Sequence, residues 1–399
     1  MSAEISATTE ETRKPRYRKW IAAVAATFVS LVVVAAPALA AIPPFNNGKM
    51  DFIIRGSGSD TTFEAMAELD QAFNASPGCA LRLPPATPQI ECDPADQPTA
   101  NQNENYDHET AVSLYPQGSS AGLRQLCELN SPGVFPVYYA RSSSGPGSAP
   151  SQCATDQLRY VAWAKDAITI PKWLGGATDP VTNLTHAQLQ EIFLDTSGDG
   201  CAENWSDFGG GNAQIMVHGV QTSSGTYATW QSFLGGNPNT CVAATGGQVL
   251  FENECTPINN LAAADRQRSI WWLSFGKYQT GAATCTDATT DLVPVNAVAP
   301  TPTTIQDGSY QYSRSLYNVY RRSAPAVPAH VKGYIGEAGW ICKPNGLHSK
   351  PTGATGPGVP HASADRNWGQ YVDQIITNAG FVKVNPDPFG NKCTFTDLH

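Results

Sequence analysis

Val220-Gln221-Thr222-Ser223-Ser224-Gly225-Thr226, followed by Tyr227 to Leu234, joins two different periodicities. Ahead of it, Ile215-Met216-Val217 is a short apolar run that predicts a strand. Behind it, Tyr227, Trp230 and Leu234 recur at i, i+3 and i+7, one face of a helix. The stretch is therefore a strand-to-helix turn. A Ser or Thr caps the helix start, and Gly lets backbone approach whatever sits there. The first helical turn offers unpaired N–H groups and about half a positive charge. Hydroxyls around those groups make a cup for an anion.

Two further turns have the same grammar. Arg55-Gly56-Ser57-Gly58-Ser59-Asp60-Thr61-Thr62-Phe63 follows the apolar Phe52-Ile53-Ile54 and precedes a face of Phe63, Met66, Leu69 and Phe73. Gln117-Gly118-Ser119-Ser120-Ala121-Gly122 lies between Ala111–Tyr115 and a helix carrying Leu123, Leu126 and Leu129. A fourth hydroxyl-rich turn, Arg141-Ser142-Ser143-Ser144-Gly145, follows the strand-like Phe135–Ala140 and brings a guanidinium. One such turn is an ordinary cap. Several, each at the carboxyl end of a predicted strand, fit the crevice where open α/β sheets bind ligands.

The chain has 399 residues, 41% hydrophobic and 15% charged, too long for a single core. After residue 40 it carries 20 Lys/Arg against 31 Asp/Glu, a net of −11. An acidic body argues against nucleic acid and anionic lipid as partners. A bound anion must then be held by local dipoles rather than by the overall field.

Arg13, Lys14, Arg16, Arg18 and Lys19 precede an apolar run from Ile21 to Ala36, and Pro37-Ala38-Leu39-Ala40 follows. This is the order of a secretory signal peptide, with cleavage expected after Ala40 and a tether over residues 41–49. All ten cysteines lie beyond it: Cys79, Cys92, Cys127, Cys153, Cys201, Cys241, Cys255, Cys285, Cys342 and Cys393. An even number in an exported chain points to disulfides. Neighbour pairing gives Cys79–Cys92, Cys127–Cys153 and Cys241–Cys255 as candidates. There is no CxxC, and zinc is not expected.

Leu184-Thr185-His186-Ala187-Gln188-Leu189-Gln190-Glu191-Ile192-Phe193 holds a capping box, Thr185 with Gln188, and an apolar face. Asp195-Thr196-Ser197-Gly198-Asp199-Gly200 resembles the start of a calcium loop, but its twelfth position is Ser206, with Glu203 the nearest substitute. The expectation is a solvated turn, with no metal or cofactor. Ser269–Phe275 and Tyr310–Tyr320 are predicted strands, His330–Trp340 and Asp365–Asn378 helices, and Phe381–Val384 a closing strand.

In order, GSDTTF at 58–63, QGSSAGLRQL at 117–126, LTHAQLQEIF at 184–193, SSGTYATWQSFL at 223–234, IWWLSF at 270–275 and GFVKV at 380–384 resemble the phosphate-binding proteins of ABC importers. The resemblance implies a two-lobed, type II periplasmic-binding-protein-like α/β fold with two crossover hinge strands. Lobe 1 would be 50–164 plus 316–399, and lobe 2 would be 165–315. It implies a monomeric, secreted receptor for a small oxyanion, phosphate first, working with an ABC permease and doing no chemistry on its ligand. By position, Thr62, Phe63 and Ser119 match the first-lobe loops, and Ser224, Gly225 and Thr226 match the second-lobe Ser-Gly-Thr. Thr61, Ser120, Arg141 and Ser142 complete the expected set. Two positions depart from the family: Ser142 stands where it has Asp, and Val220 where it has Arg. Arg141 is the nearest cation to replace the latter.

Two other readings use the same residues. A secreted binding or adhesive protein could keep the fold without transport. Gly118-Ser119-Ser120-Ala121-Gly122 also fits G-x-S-x-G, which would make Ser120 a hydrolase nucleophile with His330, His348 or His361 as its base.

Overall fold

Twelve successive residues, Leu158–Thr169, form the longest strand, and ten of them are buried. The computed structural model describes residues 54–74, 111–113, 118–128, 137–281, 289–323, 326–327, 329–343, 368–386, 390 and 392–398. All of these fall in one compact unit, Pro44–His399. The leader, the tether, Cys79, Cys92 and Cys285 lie outside the described residues.

In chain order the strands are β1 (Ile54–Gly58), β2 (Ala111–Ser113), β3 (Tyr139–Ser142), β4 (Leu158–Thr169), β5 (Pro171–Trp173), β6 (Met216–Val217) and β7 (Gly219–Val220). They continue with β8 (Val249–Leu250), β9 (Ser269–Ile270), β10 (Leu273–Ser274), β11 (Thr290–Leu292), β12 (Ser313–Arg321), β13 (Val382–Lys383) and β14 (Thr394–Leu398). The main helices are α1 (Phe63–Asn74), α2 (Ser119–Cys127), α3 (His186–Leu194), α4 (Gly225–Leu234) and α5 (Trp368–Asn378).

The main sheet runs β10-β4-β12-β3-β1-β2. β1 pairs parallel with β2 and β3, and β12 runs antiparallel to both β3 and β4. One edge of β4 is held by β12, while β14, β13 and β10 share the other in turn. β4 and β12 are thus the central pair, in register from Leu158↔Arg321 to Ala167↔Ser313 with a shift between Leu316 and Tyr317. Three two-stranded pieces, β11-β5, β6-β9 and β7-β8, lie off this sheet.

Two separate apolar clusters meet along that pair. The first gathers Met66, Leu69, Phe73, Trp163, Ala164, Leu316, Tyr334 and Ile375. The second gathers Ala167, Ile168, Ile192, Phe193, Trp230, Trp272, Tyr310 and Tyr312. The changeover falls between Ala164 and Ala167 on the outward strand, and between Tyr312 and Leu316 on the return. This is a mixed α/β fold, as the sequence implied, with two apolar cores on either side of the β4–β12 pair.

Local chemistry explains the helix starts. Thr185 Oγ1 accepts from Gln188 N (3.2 Å), and Thr185 N donates to Gln188 Oε1 (2.8 Å), which closes the expected capping box of α3. Ser224 caps α4 by accepting from Thr226 N and Tyr227 N at 2.9 and 3.1 Å.

Some expectations needed correction. Ser269–Phe275 is not one strand: it breaks into β9 and β10, and a short helix, Phe275–Gln279, starts where Ser274 caps it. Arg141 and Ser142 are the end of β3 rather than the start of a turn. Cys127 is joined to Cys153, but Cys241 bonds Cys201, not Cys255, and Cys342 bonds Cys393. The segment after α4 brings buried Cys241 against Cys201, with Cα atoms 5.5 Å apart, so proximity in the chain is a poor guide here.

Candidate functional site

The starts of α2 and α4 face each other. A Cβ added at Gly225 would lie 2.1 Å from Ser119 Oγ and 2.5 Å from Ser143 Oγ, so only glycine permits this approach. Gly118, at φ 91°, lies so close to Ser223 that an added Cβ would be 2.3 Å from its carbonyl oxygen. Thr229 Oγ1 donates to Ser143 O at 3.1 Å, a further tie between the β3 turn and α4. Two positive helix ends brought together make a place that favours an anion.

A carboxylate occupies that place. Glu252, two residues beyond β8, is buried. Its Oε1 accepts from Thr226 Oγ1 at 2.7 Å and from Thr61 Oγ1, and its Oε2 accepts from Ser224 Oγ. Thr61 and Thr226 hydroxyls are 3.3 Å apart. Hydroxyls from the first and second halves of the chain therefore converge on one carboxylate, beside the N-terminus of α4.

A guanidinium supports the cup from beneath. Arg314, on β12, pairs with Asp166 on β4 at 2.8 Å, both side chains being almost fully buried. Arg314 and Asp166 are direct cross-strand neighbours. Arg314 Nη1 also donates to Thr226 Oγ1 at 2.9 Å and to Ser143 O at 3.2 Å. A cavity of about 500 Å³ opens beside it, lined also by Thr229, Lys165 and Tyr317.

Around the cup several buried polar atoms have no partner among the described residues: Ser59 Oγ, Asp60 Oδ2, Thr62 Oγ1 and Gln221 Oε1. The first three belong to the turn between β1 and α1, and Gln221 to the turn before α4. Buried polar atoms without a partner are the exception in folded proteins, and these four lie beside the carboxylate-holding hydroxyls. Burial, and then the Glu252 charge, push the Asp60 carboxyl up to about 7 against the pull of Arg141 and Lys277.

The remaining expected residues are placed differently. Ser119 Oγ accepts from Ser143 N at 3.0 Å. Ser142 Oγ turns into its own loop, donating to Ser144 O at 2.8 Å. Arg141 is fully buried and lies over the Phe63 ring at 5.3 Å, with Nη1 donating to Gly56 O at 3.0 Å. Its charge faces the first turn, and the cation that reaches Thr226 is Arg314 instead. Val220 is buried in the second cluster. Ser120 is half-buried on α2, and the side chain of His330, a candidate base for it, lies outside the described side chains. His186 is bonded to Tyr312, and His218 to Ser269 and Gln248; His348 and His361 lie outside the described residues.

Sequence reasoning missed Glu252, Arg314 and Ser143. Phe251-Glu252-Asn253-Glu254 has no period or motif, and nothing local says that Glu252 turns inward. Arg314 stands in a strand of alternating bulky residues, where a buried charge becomes visible only with its cross-strand partner.

A family model described as a PBP superfamily domain matches residues 89–338, more than half of the chain. No curated protein is matched by the sequence. Among solved structures, an ABC-type phosphate transport receptor from Vibrio cholerae is 19% identical, with 82% of this chain and 99% of that one covered and a TM-score of 0.51. A putative phosphate ABC transporter substrate-binding protein from Clostridium perfringens, with bound phosphate, is 20% identical over 71% of this chain and 94% of that one, at a TM-score of 0.46. At such identities the likeness is one of fold.

Proposed function

The chain belongs to the PBP superfamily, and from that premise we propose that it is an exported solute receptor that captures a small oxyanion, phosphate first, for ABC-type uptake. In this reading the lobes are 50–164 plus 316–399 and 165–315, with β4 and β12 as the hinge strands. The leader is cleaved near Ala40, the protein acts as a monomer, and the ligand leaves unchanged. No helix among the described residues is long and apolar enough to cross a membrane. Thr61, Thr62, Ser119, Ser224, Gly225 and Thr226 form the cup, with Arg314 behind it.

The observation that carries the reading is the grip on Glu252. Three hydroxyls from distant segments already hold a carboxylate, which has the charge and acceptor pattern of an oxyanion edge. An arriving anion competes for the same donors. Just before Glu252, Val249 is 55% exposed and Phe251 75%, while Leu250 and Cys255 pin the segment in a third apolar cluster. An oxyanion that displaces Glu252 gains the three hydroxyls and can also use the free Thr62 and Ser59 hydroxyls. Hydrogen bonds to a charged ligand, at about 1.5–3 kcal/mol each, bring five such contacts to micromolar affinity after the cost of association.

The same observation favours a second reading. A protein that keeps its own carboxylate in the cup need not take up an external anion, and would then be a secreted binding or adhesive protein on this fold. Isothermal titration with phosphate and sulfate separates the two. For the receptor, Glu252→Gln should tighten binding about tenfold, because a neutral amide competes less well for the hydroxyls. Thr226→Val should weaken it tenfold or more. No heat with either anion, in wild type and Glu252→Gln alike, would leave the second reading standing.

A further inference from the structure

Beyond the anion cup, the C-terminal end of α3 gathers four carboxylates. Glu191, Asp195, Asp199 and Glu203 each offer an oxygen, and these oxygens all lie within 4.8 Å of one another. None of the four is ion-paired with Lys or Arg among the described residues. The arrangement is unfavourable by itself. Like charges crowd together at the negative end of a helix, where cations rather than anions are stabilised.

One member shows what the cluster is built for. Glu203 is only 8% exposed, and its Oε1 is buried without a hydrogen-bond partner among the described residues. Its carboxylate nonetheless points into the group formed by the other three. The Glu203 and Glu191 carboxyls are close enough to share a proton, and a cation taking that proton's place would satisfy all four groups.

The backbone holds these side chains in place. Asp195 adopts a left-handed conformation at φ 56° and ends the helix, which turns the chain back over Glu191. Gly200 N donates to both Asp195 carboxylate oxygens at 3.2–3.3 Å, and Ala202 N to Asp199 Oδ1 at 3.1 Å. Ser197 N donates to both Glu191 oxygens at 3.1–3.2 Å. Cys201, inside the loop, is tied by its disulfide to Cys241 in the second core. Ile215 N donates to Glu203 O at 2.9 Å, which fixes the far end.

We propose that Glu191, Asp195, Asp199 and Glu203 form a binding site for one hard divalent cation, Ca²⁺. The ligand set is all oxygen, which excludes the sulfur and nitrogen donors that zinc and copper prefer. Oxygens at about 2.3–2.6 Å from a common Ca²⁺ span up to roughly 5 Å across the shell, whereas the Mg²⁺ shell spans roughly 4 Å. Four carboxylates on a glycine-containing loop suit the looser, higher-coordinate Ca²⁺ shell better than the strict octahedron of Mg²⁺. Two flanking glycines, Gly198 and Gly200, take the positive φ values of 78° and 87° that the tight loop requires. The loop opens as Asp-x-Ser-x-Asp-Gly, but its later carboxylate comes from Glu203, and Glu191 from the preceding helix replaces the remaining ligands. The site shares no residue with the anion cup and stands whether or not that cup captures an anion.

Terbium luminescence tests this directly. Tb³⁺ replaces Ca²⁺ among oxygen ligands, and the buried indole of Trp205, two residues beyond Glu203, is placed to sensitise it. The purified full chain, stripped with a chelator, should give sensitised emission that saturates at one Tb³⁺ per chain. Ca²⁺ should displace the ion, with Mg²⁺ needing at least tenfold more. Asp199→Asn, at an exposed position where the amide oxygen can still accept from Ala202 N, should weaken Ca²⁺ competition at least tenfold, and Glu203→Gln should do the same. Calcium titration should also raise the melting temperature of wild type but not of Asp199→Asn. Absence of saturable emission would overturn the proposal, as would equal competition by Mg²⁺ or unchanged affinity in both variants.

Discussion

At the residue scale, the cup is decided by where two carboxylates sit. Glu252 lies in the hydroxyl ring, and Asp60 lies one residue before Thr61, close enough for each charge to oppose the other. Buried carboxyls shift up because the charged form loses water, and a second carboxylate adds to the shift. The Asp60 carboxyl therefore titrates at about 7 rather than at its ordinary 3.8. The sign follows. Its folded value lies above its unfolded value, so the stability that the proton confers is present below 3.8 and lost as pH rises through about 7. For binding, the proton removes a negative charge beside the anion. Sulfate, whose own charge is constant from pH 5.5 to 8.5, should bind about tenfold (~1.4 kcal/mol) more tightly at the acid end. The charged groups acting on Asp60 are Glu252, Arg141 and Lys277, the last paired with Glu64. In Asp60→Asn the profile should be flat when followed by titration calorimetry, and a slope that survived would assign the effect to another group.

At the scale of the element, helix starts were legible because their chemistry is local. Thr185, Gln188 and Leu184 sit within one turn of α3, and the box closes as their spacing says. Ser224 and Gly225 likewise announce α4. The capping box gives a measurable consequence: Thr185→Ala leaves the Gln188 N–H unsatisfied, which should cost about 1 kcal/mol. Urea unfolding followed by tryptophan fluorescence checks this, since Trp230 and Trp272 lie in the same cluster as α3. A change under a few tenths of a kcal/mol would show that tertiary packing alone holds the helix. What was not legible depends on distance. Thr61, Ser224 and Thr226 were readable as hydroxyl-bearing turns, but their common partner Glu252 lies 191 residues from Thr61, in a segment with no period. Ser269–Phe275 misled for a different reason: Ile270, Trp271, Trp272 and Phe275 are all buried whichever conformation they take, so their hydrophobicity hides the break that Ser274 caps.

At the scale of the whole molecule, the two cores, the sheet and the cup meet at one buried pair. Asp166 and Arg314 face each other on the crossover strands between the two clusters. Asp166 Oδ1 also accepts from Gly276 N at 3.1 Å, and Arg314 reaches Ser143 O on one side and Thr226 Oγ1 on the other. Breaking a buried pair strands a charge, and each of Asp166→Ala and Arg314→Met should cost about 3–5 kcal/mol of stability. Replacing both partners by apolar groups removes the stranded charge, so Asp166→Leu with Arg314→Met should regain most of that loss, to within about 1–2 kcal/mol of wild type. Anion affinity should behave otherwise. The double variant has lost the guanidinium that orients Thr226, and nothing in its repacked interior supplies another. Stability measured by urea unfolding should therefore recover while affinity measured by calorimetry stays at least tenfold reduced. If both recovered together, Arg314 would be only a fastening between strands. If neither single substitution destabilised the fold, the pair would not join the two halves at all.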